Sequence, residues 1–144
     1  MIPVQYPEPN FKLKEEGEQR FIFCAIRKQW LVLTPEEWVR QNFLAYLISV
    51  LHYPVSLIAV EKEISLGELR KRFDILVYDK AHKPWMMIEC KEPDVSLGEA
   101  VLQQVLRYGI CVPVPYLVIT NGGTTIGWKK EGPKLVMVKE LPEV

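Results

Sequence analysis

The stretch that most limits the possible folds is YLVIT, residues 116–120, which contains no charged residue. An apolar run of this kind offers no face to water, so it belongs inside a sheet covered on both sides. A helical stretch, SLGEAVLQQVLRYG, separates it from the preceding apolar run WMMIECK. Two strands joined through a helix run parallel. The expected fold is therefore α/β, on the border with α+β. It has a mixed central β-sheet flanked by helices and ends in a C-terminal β-hairpin.

The other elements follow from local pattern. RFIFCAIRKQWLVL (20–33) is rich in β-branched and aromatic residues and reads as one or two strands. In TPEEWVRQNFLAYLISVL, Thr34 suits an N-cap, Pro35 a first helical position and Glu37 the capping box. Apolar residues then recur at helical spacing, which predicts a helix from about Pro35 to Leu51. LIAVEKEISLG and RFDILVYD read as two strands, with KAHKP leading to WMMIECK. Ser96 and Glu99 suggest a second capping box, and Gly109 a C-terminal stop. TIGWKK and LVMVKE form the terminal hairpin around EGP. The first ten residues hold three prolines, and 1–19 reads as an extended arm on a single domain of 144 residues.

Composition removes several function classes. Eighteen basic residues balance eighteen acidic ones, so net charge gives no support for a nucleic-acid partner, and such a partner needs a local argument. No apolar run approaches a membrane span, and the N-terminus lacks a signal-peptide pattern. The three cysteines, Cys24, Cys90 and Cys111, form no C-x-x-C pair and read as reduced cytoplasmic thiols. His52 and His82 stand apart, with no zinc set around either.

Against this background three charges are misplaced. Asp74 lies early in the run FDILVY, while Glu89 and Lys91 close MMIECK. Alternate strand residues share a face, so Glu89 and Lys91 point the same way. Antiparallel pairing of the two strands could bring Asp74 beside Glu89. Carboxylates and an ammonium at a half-buried sheet end are costly unless paired or bound to metal. A rim salt bridge from Lys91 to Asp74 or Glu89 is the plain alternative.

FDILVY, MMIECK and QVLRY together resemble the PD-(D/E)xK nuclease superfamily. The closer resemblance is to the N-terminal nuclease domain of type I restriction enzyme R subunits, in a short stand-alone form. It covers about residues 33–128. TPEEWVRQ is similar to that family's opening helix, IECK to its E-x-K strand, QVLRY to its Q-x-x-x-Y helix, and VITNG to a later segment. The resemblance implies a restriction-endonuclease-like core and Mg²⁺-dependent cleavage of DNA phosphodiesters, with Mn²⁺ able to substitute. It makes Asp74 and Glu89 metal ligands and Lys91 the catalytic lysine. It adds Gln104 and Tyr108 from the second helix, and Glu36 or Glu37 from the first. Carboxylate oxygens are hard ligands suited to Mg²⁺, and the backbone carbonyl of Cys90 could add a further oxygen.

Gln104 and Tyr108 are four apart and share a helix face. Arg70, Lys71 and Arg72 form the densest basic stretch and are candidates for the DNA backbone, with a solvated turn as the alternative. R subunits carry a helicase motor, but this sequence has no Walker motif, so ATP-driven restriction by this chain alone is not expected. DNA is the expected partner, in a homodimer or a larger restriction or repair complex, in the cytoplasm. The other reading is a catalytically inactive nuclease-fold module that binds nucleic acid or a partner protein.

Overall fold

The computed structural model describes the backbone of residues 1–144 and every side chain except those of Leu66, Leu69 and Cys111. The expectation that Cys111 is a reduced thiol therefore lies outside the described residues; Cys24 and Cys90 are buried, free thiols. Three strands come first: β1 (Leu13–Glu16), β2 (Gln19–Cys24) and β3 (Gln29–Val32), forming an antiparallel sheet in that order. Helix α1 (Pro35–Ser49) follows, then a short 3-10 turn (Val55–Leu57). The second sheet has six strands in sequence order: β4 (Ile58–Leu66), β5 (Leu69–Tyr78), β6 (Pro84–Cys90), β7 (Tyr116–Thr120), β8 (Thr125–Glu131) and β9 (Lys134–Val138). Helix α2 (Glu99–Cys111) joins β6 to β7, and these two are parallel, as their helical connection requires. The other neighbours are antiparallel, so the sheet is mixed.

The two faces of the large sheet are covered by different helices. Phe43 and Leu47 of α1 pack with Ile75, Val77, Met86 and Ile88. Val105 of α2 packs with Leu76, Met87, Leu117 and Ile119 on the opposite face. This double covering explains why YLVIT carries no charged residue: Leu117, Val118 and Ile119 are all fully buried. Along β6, Met86, Ile88 and Cys90 belong to the α1 side and Met87 to the α2 side. Glu89 and Lys91 therefore continue the α2 side. Among the described residues no helix is long and apolar enough to cross a membrane.

Several local expectations are corrected. α2 begins at Glu99 with Gly98 as its N-cap and no side-chain cap bond, so Ser96 makes no capping box. Gly109 lies inside α2; a Cβ there would fall 2.1 Å from Leu117 Cδ1, so the glycine admits β7 rather than ending the helix. The arm at 1–19 carries β1, and Ile2 is buried with its amide donating to the Thr125 carbonyl at 2.8 Å.

The hairpin β4–β5 changes face midway. Residues two apart in a strand normally share a face. Yet Phe73 packs on the α2 side and Ile75 on the α1 side. Across the pair, Val60 packs against the α1-side core and Ile64 against the α2-side core. The break falls at Glu61, whose φ is +54°, a left-handed conformation rare for a residue with a Cβ. The tip half of the hairpin thereby swings over towards α2.

Candidate functional site

Asp74 sits where two strands part. The last matched pair of β5 and β6 on this side is Ile75 with Ile88. The next step of the register sets Asp74 opposite Glu89. β6 instead continues along β7, pairing Glu89 with Ile119 and Cys90 with Thr120, and the Lys91 amide donates to the Thr120 carbonyl at 2.8 Å. The Cys90 amide is thus left facing β5 without a backbone acceptor. Asp74 Oδ2 accepts it at 2.7 Å. That bond fixes the Asp74 carboxylate in the fork. Strand alternation puts the Cys90 carbonyl on the same edge as its amide, towards Asp74. The Cys90 thiol is fully buried, and burial holds its pKa well above the usual value, so it stays a neutral core group.

Glu89 opens into a small cavity of about 40 Å³ between β6 and α2, whose wall includes Lys71, Lys91, Gln104 and Tyr108. Residues distant in sequence meet here because α2 crosses the face on which Glu89 and Lys91 lie. Glu89 Oε1 is buried and receives no hydrogen bond. Lys71 Nζ approaches it to 3.4 Å, an ion-pair distance without hydrogen-bond geometry, and lies 4.6 Å over the Tyr108 ring. Burial, then the negative charge of Asp74, push the Glu89 carboxyl up to about 7, with Lys71 pulling the other way. Lys91 has no ion-pair partner among the described residues, which leaves its ammonium available to an anion at this cavity.

Glu36 and Glu37 have different surroundings. Glu37 is buried, and its carboxylate accepts from Arg40 Nε at 2.8 Å, from Arg40 Nη2 and from Gln41 Nε2 at 3.0 Å. Arg40 also donates to Glu61 at 3.2 Å, and the network raises its already high pKa. Glu37 is therefore committed to structure, and it completes only half of the expected capping box: its amide donates to Thr34 Oγ1 at 3.0 Å. Glu36 is exposed and lines a cleft with Arg27, Thr34 and Arg40. Its carboxyl is raised first by desolvation and next by the charge of Asp74, while Lys91 lowers it. Replacing Thr34 with alanine removes the α1 cap and is expected to cost about 1 kcal/mol, read from denaturant unfolding.

The basic run at 70–72 is split by its strand. Arg70 and Arg72 are exposed, Arg70 standing 4.0 Å from Glu63. Lys71 points inward to Glu89 and Tyr108. These residues lie in β5, so the solvated-turn alternative does not hold; the turn lies around Gly67, with φ +60°. The signal for the inward lysine was present as alternation in LRKRF: once Phe73 is a core residue, Lys71 shares its face.

Among the described residues no group of three or more His, Cys, Asp or Glu is placed to hold a metal. Two carboxylates at the fork still fit a cation that keeps most of its waters, as Mg²⁺ does. The buried Glu89 Oε1 without a donor is the atom such a cation would satisfy.

Comparison with curated proteins gave no match. The sequence does match the family described as type I restriction enzyme R protein N terminus over residues 35–142, which spans α1 to the end of the six-stranded sheet. The match excludes the sheet β1–β2–β3 and includes every candidate site residue named above. With most of its length inside that match, the chain belongs to the family of the type I restriction enzyme R protein N terminus.

Proposed function

We propose that this chain is a divalent-metal-dependent deoxyribonuclease domain that hydrolyses DNA phosphodiester bonds. The observation that carries the reading is the convergence of Asp74 and Glu89 at one strand fork, beside a cavity walled by Lys91, Gln104 and Tyr108. Family membership supports it. Asp74, Glu89 and the Cys90 carbonyl would hold Mg²⁺ or Mn²⁺, which supplies Lewis acidity to the phosphate and acidifies water at the site. Lys91 neutralises charge that builds on the phosphate oxygens. Glu36, whose carboxyl is raised first by burial and next by the charge of Asp74, would serve as the acidic residue of the first helix. Lys71 supplies the charge that balances Glu89 before a cation arrives, and can then turn to phosphate. Gln104 steadies the cavity wall beside Glu89 and Lys91, so Gln104→Ala is expected to slow cleavage about tenfold with the fold unchanged. Steady-state rates beside a thermal melt check this.

The neutral net charge supports action within a homodimer or a larger restriction or repair complex that supplies DNA affinity. Free thiols at Cys24 and Cys90 suit a reducing cytoplasm. The decisive experiment incubates the purified chain with plasmid and with linear duplex, in Mg²⁺, in Mn²⁺ and in chelator. The reading requires cleavage with metal and none in chelator. A second reading, a nuclease fold that binds without cutting, is favoured by the Lys71 contact at Glu89. It requires no cleavage under any of these conditions and no melting shift with metal.

A further inference from the structure

The sheet β1–β2–β3 lies outside the family match and has two unlike faces. Ile22 and Cys24 are fully buried on the inner face. Pairing of Lys14 with Phe21, Phe21 with Val32 and Phe23 with Trp30 puts these residues together on the outer face. Trp30 is 37% exposed and Val32 45% exposed. Trp30 lies edge-on to Phe23 at 5.4 Å, and Lys14 Nζ stands 4.6 Å over the Trp30 ring. Lys12 Nζ stands 5.6 Å over Phe23. Trp30 and Val32 stay exposed beside these lysines, while Phe23 also borders a cleft with Gln41 and Leu44 of α1. Lys14 also pairs with the exposed Glu16 at 2.9 Å, so its ammonium sits at the surface, able to exchange partners.

We propose that this face is a docking surface for single-stranded DNA. It rests on the nuclease reading for the choice of DNA, but its chemistry is independent of the metal site. Aromatic rings on an open sheet stack bases without regard to sequence, and interleaved lysines meet the phosphates. The charge complements a polyanion whose units each present a flat ring. The face is also continuous with a cleft at the start of α1. Val32 lines a cleft of about 440 Å³ whose charged wall is Arg27 and Arg40 beside Glu36, Glu37 and Glu61. Glu36 in that cleft is the carboxylate that senses Asp74 and Lys91. A strand lying on Trp30 and Phe21 would pass over Val32 into this cleft and reach the fork. The sheet thus selects or holds a strand that the fork then meets.

The test measures binding of a labelled oligothymidylate to the whole chain in chelator, where no cleavage can occur. Trp30→Ala is expected to weaken binding about tenfold or more, and Lys14→Gln to weaken it less while flattening its salt dependence. Lys14→Gln changes a half-exposed side chain and keeps the test valid if Trp30→Ala fails to fold. Equal binding by wild type, Trp30→Ala and Lys14→Gln overturns the proposal. So does duplex cleavage with no affinity for single strands, a result that leaves the nuclease reading intact. Sedimentation showing a dimer that Trp30→Ala dissociates would assign the face to a second copy and also overturn it.

Discussion

Asp74→Asn is expected to fold normally and to lose DNA cleavage by at least about a hundredfold. A ligand to the cation should cost no less than the outer-shell groups, whose loss commonly costs ten- to a hundredfold. Asparagine keeps an oxygen that can accept the Cys90 amide, now at 2.7 Å from Asp74 Oδ2, so the fork stays closed. It removes the negative charge that a divalent cation needs. Alanine would be the poorer choice, because it also strands the Cys90 amide, at a cost of about 1–3 kcal/mol. The comparison separates the two duties of one carboxylate. Asparagine should retain the melting temperature and lose activity, whereas alanine should lose both. Normal cleavage by Asp74→Asn would remove Asp74 from the site.

Glu89→Gln should stabilise the metal-free protein at neutral pH by on the order of 2 kcal/mol. Glu89 is 13% exposed, lies beside Asp74, and has a carboxyl pushed up to about 7 by burial and by that neighbour. The folded pKa is therefore above the unfolded one, and the fold prefers the protonated form. At pH below about 4.5 both states are protonated and Glu89 has no net effect. As pH rises from about 4.5 to about 7 the unfolded chain ionises first, and stability falls; above about 7 the deficit is constant. Glutamine has no such deficit, so the gap between variant and wild type should widen across that window. The same substitution should abolish metal-dependent cleavage. Gain of stability with loss of function is the behaviour of a strained functional site rather than of a rim salt bridge. Denaturant unfolding at a series of pH values in chelator reads it. A variant less stable than wild type at pH 8 would show that Glu89 is ionised and well paired in the folded protein.

The sequence carried the fold well where one signal had one cause. The uncharged YLVIT and the helix before it required a parallel pair inside a covered sheet, and β6 and β7 are that pair. Asp74, Glu89 and Lys91 stood out as charges on apolar strands, while Gln104 and Tyr108 entered through the family resemblance. Their meeting depends on α2 crossing the Glu89 face of β6. Features resting on a contact far along the chain were not legible. Gly109 looked like a helix stop because glycine commonly is one, yet its reason is Leu117 of β7. The capping box accounted for Glu37 in the sequence, but its hold on Arg40 and Gln41 was not legible there. Alternation in LRKRF put Lys71 on the face of Phe73, but which core that face meets follows from the change of face at Glu61, a backbone feature that no residue type at that position announces.

The central claim is that Asp74 and Glu89 form one divalent-cation site. Calorimetric titration of Mn²⁺ into the metal-free chain at pH 8, repeated with Asp74→Asn and with Glu89→Gln, tests it most directly. The account predicts saturable binding by wild type and its loss in each variant. Equal binding by all three proteins, or no binding by the wild type, would contradict it.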